Sequence, residues 1–331
     1  MTPTVADVFT LLCLRPMGAF AHNLITVGKG PDKDILNGMP FNYNDFIKEM
    51  KGSTNSLVTY KEECCFYLFL ICKFLAWTSS KRVINYYMPI ARCLANGSSV
   101  DLSSFILGEL YRAMFLLNTK PKQSYGGPVW LTQMWAYSYF PSIAPELHPT
   151  IILWSYGEAW MHARYPKEVP SYPTCFKLFS DASMRRSPED FMPFKAKKYG
   201  SEDFQKFSSQ GFFRGDSAWG ACLQSRELVV IKSTNAGVEA YYPSLVARQF
   251  GLIQLLLVPL IWTKNKDWTS QVFISKNDDD AQQISVLAKE RVTSFIFTPF
   301  QVRSMCSLSF HSWWETYMAH FNNEDDLIEA I

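Results

Sequence analysis

The chain has 331 residues, 48% of them hydrophobic and 15% aromatic, enough to bury a substantial core and too apolar for a mostly disordered polypeptide. Its 32 basic and 30 acidic residues leave a formal charge of +2, so there is no global basic signature of a nucleic-acid binder, and any such binding needs a local patch. Eight cysteines without a Cys-x-x-Cys pair, no leader before the first helix and apolar runs well short of the roughly 20 residues of a membrane span predict a soluble protein in a reducing, intracellular compartment.

Thr4 to Leu12 has helical spacing of apolar residues, with Thr4 as cap and Asp7 at the third helical position. Ala21 to Pro40 is rich in Gly, Asn, Asp and Lys and reads as a loop. A short helix over Tyr43–Met50 leads to a capping box at Thr59 and Glu62, and an internal helix follows to about Trp77. Arg82–Leu94 is helical in pattern but carries Pro89, which predicts a kink or a break. Asp101 caps a helix to about Leu117, with Glu109 and Arg112 among its polar marks.

Then comes Gly126-Gly127-Pro128-Val129-Trp130-Leu131-Thr132-Gln133-Met134-Trp135-Ala136-Tyr137-Ser138-Tyr139-Phe140-Pro141. Pro128 suits the first helical position, and Pro141 forbids continuation. Leu131, Trp135 and Tyr139 recur at i, i+4 and i+8, so the sequence predicts a helix buried on most sides, at the centre of the fold. Gln133 is expected to hydrogen-bond the backbone of a neighbour within the core.

Beyond it, Thr150–Arg164 reads as a Trp-rich helix, and Ser187-Pro188-Glu189-Asp190 and Ser201-Glu202-Asp203 as helix starts. Arg226–Lys232, a Ser-Thr-Asn-Ala-Gly turn and Val238–Tyr242 predict a β-hairpin. Ser244 caps a short helix holding Arg248 and Gln249, and Asn277–Asp280 begins another, to about Arg291. Phe310–Phe321 is a closing helix with Trp313 and Trp314, followed by the acidic tail 324–331.

Two of these stretches carry a family resemblance. The run from Gly126 to Pro141 resembles the Gly-Gly-Pro-Leu-Trp-Leu-Leu-Gln-Leu-Trp-Ala-Trp-Glu-Tyr-Phe-Pro signature of the plant mobile domain, also labelled aminotransferase-like, the family of the MAIN-like proteins and of relatives carried by transposable elements. The residues that match include Gly127, Pro128, Trp130, Leu131, Gln133, Trp135, Phe140 and Pro141, while Tyr137 and Ser138 depart from it. Tyr242-Pro243-Ser244-Leu245-Val246-Ala247-Arg248-Gln249-Phe250-Gly251 is similar to the family's Tyr-x-Pro-x-x-Val-Ala-Arg-Gln-Phe-Gly. Asp7-Val8 in the first helix and the Trp313-Trp314 helix are weaker matches, so the resemblance spans nearly the whole chain.

The chemistry expected from motifs is sparse. There is no Walker loop, no Gly-x-Gly-x-x-Gly after a strand, no His-Glu-x-x-His and no Gly-x-Ser-x-Gly. The five histidines have no ligand-like spacing, so no metal is expected. The aminotransferase-like label would imply pyridoxal phosphate on a Lys, but no Lys stands in such a context, so no cofactor is expected. Arg248 and Gln249 are the most distinctive polar residues; Arg248 reads as a half-buried clamp to Glu227, Glu239 or backbone carbonyls, or else as an anion ligand, and Arg112 is read likewise. Between Arg164 and Arg214 the chain is locally basic and aromatic. Arg185, Arg186, Lys195, Lys197 and Lys198 are its candidates for nucleic-acid or partner binding, against the plainer reading of a solvated surface.

The fold expected is mainly α: a single compact helical globule over 1–331 with a small antiparallel β-hairpin sheet in the C-terminal half. It divides at most into a helical lobe 1–141 and an α+β lobe 142–323. What the resemblance implies is a nuclear, non-catalytic interaction module derived from or carried by transposable elements. It would act in silencing such elements, in gene expression and in meristem maintenance through a protein partner, often a phosphatase-like one. The alternatives are a nucleic-acid-binding domain using 164–214 and a transposase- or nuclease-like enzyme with dispersed carboxylates.

Overall fold

The computed structural model describes residues 1–27, 35–37, 40–53, 56–77, 82–122, 126–146, 170–186, 221–222, 224–231, 236–243, 246, 249, 272–274, 283, 286–287, 308–321, 323 and 325–326. Helix α1 (Val5–Leu12) starts where Thr4 and Asp7 close a reciprocal capping box. Every residue from Val5 to Leu11 is buried. The Gly-Gly-Pro helix contributes four buried residues to the same core, Leu131, Trp135, Ser138 and Tyr139.

A two-residue strand β1 (Ala19–Phe20) leads into α2 (Ala21–Val27), where the composition predicted a loop. Tertiary burial overrides the weak local propensity: Ala21 and His22 are buried, and Leu24 and Ile25 pack against the core. Helix α3 (Tyr43–Met50) is capped by Asn42, and α4 (Tyr60–Leu70) by the expected box of Thr59 and Glu62. α4 continues into a π turn, Ile71–Leu75, which no sequence signal announced. Pro89 marks a break: after a 3-10 turn at Asn85–Tyr87 it lies in the first turn of α5 (Met88–Ala95), where its missing N–H costs nothing.

Strand β2 (Val100–Asp101) pairs in parallel with β1, and Asp101 caps α6 (Leu102–Thr119). Helix α7 (Trp130–Tyr139) then ends in a 3-10 turn, Pro141–Ile143. Helix α8 (Tyr172–Ser180) was not anticipated, although Ser171 as cap and Pro173 in the first turn are the signals that could have found it. Strands β3 (Arg226–Ile231) and β4 (Ala236–Tyr241) form the predicted hairpin, with Val229 opposite Val238. A third strand, β5 (Val272–Ile274), extends it antiparallel to β4. Helix α9 covers Leu308–Met318.

The fold is mainly helical with a small antiparallel sheet in its C-terminal half. The sheet joins the helices because α6 packs on β3 across Gly108: a Cβ there would stand 3.2 Å from Val230 Cγ2 and 3.3 Å from Leu228 Cβ. One hydrophobic cluster runs from α1 through α4, α5, α6 and α7 to Leu228 and Tyr241 of the hairpin. The predicted helices at 150–164, after Ser187 and after Ser201 lie outside the described residues, as do most of 277–291, most of the segment around Arg248 and most of the acidic tail. No described helix is long and apolar enough to cross a membrane.

Candidate functional site

The resemblance motifs meet at one buried polar node. Asp7, on α1, is 1% exposed. Its Oδ2 accepts from the Thr4 N–H at 2.7 Å, from the Thr4 hydroxyl at 2.6 Å and from the Gln249 amide at 3.3 Å. Its Oδ1 accepts from the Tyr139 hydroxyl at 3.0 Å. Gln249 also donates to the Tyr139 oxygen at 3.1 Å, so the three side chains close a triangle. Asp7 belongs to the first helix, Tyr139 to the Gly-Gly-Pro motif and Gln249 to the Arg-Gln-Phe-Gly motif, separated by 132 and 110 residues.

The same node straps down the start of the chain. The Gln249 amide donates to the Thr2 carbonyl at 3.0 Å and accepts the Thr2 N–H at 3.1 Å, imitating one rung of a strand ladder. Tyr111 donates to the Pro3 carbonyl at 2.8 Å. The Val5 N–H, one of the orphan donors at the head of α1, is taken by the Tyr241 hydroxyl at 3.3 Å, which itself donates to the Cys222 carbonyl at 2.7 Å.

Burial pushes the Asp7 carboxyl up to about 7, against the hydrogen bonds from Thr4 and Tyr139 that favour its ionised form. Trp135 also favours ionisation, although its buried indole N–H makes no hydrogen bond within bonding distance. Burial, followed by the charge of Asp7, raises the Tyr139 hydroxyl well above its ordinary value. A carboxyl near neutrality would suit proton transfer, but these oxygens are spent on internal partners, and the arrangement ties three distant segments together.

The sign of the resulting pH dependence follows from the shift. Between an unfolded value of 3.8 and a folded value of about 7 the native state keeps a proton that the unfolded chain releases. This contribution to stability is therefore full below about pH 4 and is lost as the pH rises through 7. Asp7→Asn keeps the shape and removes the titration. Urea unfolding of wild type and variant at pH 5 and pH 8 should show the variant gaining about 2–3 kcal/mol on wild type at the higher pH.

A second buried tie fastens the hairpin to the helices. Arg226, at the start of β3, donates through Nη1 to Asp101 Oδ2 at 3.2 Å and to Ser104 Oγ at 2.9 Å. Its Nη2 donates to the Ala221 carbonyl. The Asp101 carboxylate is at the same time the cap of α6, its Oδ1 accepting the Ser104 N–H at 2.9 Å. Both residues are buried, so the pair has low-dielectric surroundings and a nearly complete set of partners.

The residues singled out in the sequence divide between these ties and the surface. Gly127 has φ +123°, donates its N–H to the Trp77 carbonyl at 3.0 Å, and would place a Cβ 2.5 Å from Ala113 Cβ and 2.9 Å from the Glu109 carbonyl. Only glycine satisfies both the dihedral and the space. Pro128, Leu131, Trp135 and Phe140 are buried, Trp130 is half-buried, and Pro141 is exposed. Gln133 is exposed as well and donates to the Tyr137 hydroxyl one turn on, so the expected bond within the core is corrected: its position faces away from the Leu131–Trp135–Tyr139 stripe. α7 is thus buried along one side, and its polar Ser138 is the residue hidden in the core, bonding the Met134 carbonyl at 3.0 Å.

Arg112 is half-buried near Glu239 and Glu109. Burial lowers its pKa against the pull of those acids, and its Nε makes no hydrogen bond. Arg185 reaches the Met1 sulfur at 3.7 Å, and the Arg186 backbone N–H donates to the Tyr139 carbonyl at 2.7 Å. Arg248, Lys195, Lys197 and Lys198 lie outside the described residues. Among the described residues no group of His, Cys, Asp and Glu is placed to hold a metal ion. Sequence reasoning missed Asp7, Tyr139 and Arg226 as polar ties; the one signal was the Asp-Val of the first motif.

The class of protein is therefore a mainly helical fold with a small antiparallel sheet, closed by two buried polar ties between segments distant in sequence. The chain belongs to the plant mobile domain family, whose model matches residues 1–315. No curated protein and no solved structure matches it.

Proposed function

We propose that this chain is a non-catalytic interaction module of the nucleus. It acts through a protein partner, of the phosphatase-like kind the family resemblance implies, in silencing of transposable elements, gene expression and meristem maintenance. The observation that supports this reading is an aromatic stripe along the outer side of α4 and its π turn. Phe66 is 47% exposed, Phe74 45% and Trp77 49%. The π turn brings Phe69 and Phe74, five residues apart, edge to face at 6.2 Å, and Tyr43 of α3 meets Phe69 at 5.6 Å. Lys73 stands 5.0 Å from the Tyr43 ring centre, its charge held over the aromatic face.

Trp77 adds backbone strain to this surface, with φ +43° in a bulky residue. Aromatic anchors rimmed by polar groups are what protein interfaces use for affinity. The test is to retrieve partners from nuclear extract with wild-type protein and with a Phe66→Ser/Phe74→Ser variant of unchanged melting temperature. Specific partners lost by the variant are expected. Recovery of the same set by both proteins overturns the assignment of this surface.

A further inference from the structure

We propose that α8 and the turn after it form a docking platform for single-stranded nucleic acid, bound through phosphates and base faces and not through the sugar. Tyr172, Phe176 and Phe179 fall at i, i+4 and i+7 of α8, one face of the helix, separated by rises of about 6 and 4.5 Å. Tyr172 is 62% exposed and Phe179 46%. Rings presented in a row on a rigid element are what sequence-tolerant stacking of unpaired bases requires.

The charge around the row has the matching sign. The segment 172–186 carries Lys177, Arg185 and Arg186 against the single acid Asp181. Asp181 accepts the Ser183 N–H at 2.8 Å and hydroxyl at 2.7 Å, which hold its pKa below the ordinary carboxylate value and keep it anionic, so the segment carries three positive charges against one negative. Among the described residues the three cations make no ion pair; Lys177 is exposed, and Arg185 and Arg186 are partly so. Three cations and one acid in the same short segment as three aromatic rings leave a net positive charge, which complements a polyanion that offers flat apolar faces. An acidic protein segment would match the charge but not the row of rings.

The platform is held firmly. Phe179 packs on Phe140 with ring centres 4.7 Å apart, and Phe140 is itself buried at the end of α7. The Arg186 N–H is bonded to the Tyr139 carbonyl, so the segment is anchored at Phe179 and at Arg186 to the end of the helix that reaches the polar node. A duplex hides its base faces, so the geometry favours a single strand.

The inference uses residues separate from the aromatic stripe of α4, and the two can fail independently. The test measures binding of the full chain to labelled dT20, rU20 and a 20-base-pair duplex across a salt series. dT20 and rU20 should bind alike and more tightly than the duplex, with log K falling against log salt at a slope near −2, as three neutralised phosphates give on a single strand (about −0.7 each). Tyr172→Ala, an exposed change, should weaken binding roughly 5- to 100-fold with an unaltered slope. Lys177→Ala should reduce the slope by about 0.7. Phe66→Ser/Phe74→Ser should leave dT20 binding as it is. Absence of dT20 binding at low salt, equal affinity for the duplex, indifference to Tyr172→Ala in a protein that melts normally, or competition by polyglutamate as strong as by unlabelled dT20 would each overturn the proposal.

Discussion

Replacing Arg226 by methionine is expected to lower the free energy of unfolding by about 3–5 kcal/mol, measured by urea denaturation at neutral pH. The side chain removed is buried and serves Asp101, Ser104 and the Ala221 carbonyl together. What remains is an Asp101 carboxylate without its cation in an apolar interior, and that uncompensated charge is the larger part of the cost. The same logic predicts partial recovery in Arg226→Met/Asp101→Asn. Asparagine keeps the cap on α6, since its side-chain oxygen still accepts from Ser104, and the stranded charge is gone. A double variant no more stable than the single one would mean that the guanidinium contributes packing and hydrogen bonds rather than charge compensation.

Trp135→Ala is expected to cost a similar amount, about 3–5 kcal/mol by the same measurement. Trp135 is 8% exposed, stands at the centre of the buried side of α7 and packs on Tyr139 with ring centres 5.3 Å apart. Its removal opens a cavity beside the polar node, so the pH dependence carried by Asp7 should weaken along with the stability, because water admitted there relieves the burial that raises the carboxyl. The half-buried Trp130, five residues earlier, should lose markedly less on the same substitution. Equal losses at the two positions would show that the buried side of α7 has been misplaced.

Much of the local structure was readable without coordinates, for reasons that stay within a few residues. The Thr4–Asp7 and Thr59–Glu62 pairs and Asp101 ahead of α6 are short-range hydrogen bonds whose partners lie three positions apart. The hairpin was legible from β-branched runs around a polar turn. α2 was not, because its seven residues have little helical preference and are held by the packing of Leu24 and Ile25. The π turn after α4 left no mark either, since an inserted residue changes the spacing of exposed rings and not the composition.

The candidate site shows the same division. That Trp135 is core could be argued from its neighbours in sequence, whereas the need for glycine at 127 rests on its φ and on the approach of Glu109 and Ala113. Gln133 and Gln249 look alike in sequence, yet one is exposed beside Tyr137 and the other is buried across Asp7, Tyr139 and Thr2. No periodicity distinguishes them, because the partners of Gln249 lie 110 or more residues away.

By itself, then, the sequence determined the caps of α1, α4 and α6, the hairpin, the motifs that mark the family and the lack of any membrane-length apolar run. Those properties depend on dihedral preference and on hydrogen bonds between near neighbours. Only the tertiary structure decided that Asp7, Tyr139 and Gln249 form one node, that Arg226 closes on Asp101, and which aromatic rings remain outside. Each of those outcomes depends on which distant surfaces bury one another. A buried polar group must find its partner wherever the fold brings one within about 3 Å, at whatever separation along the chain.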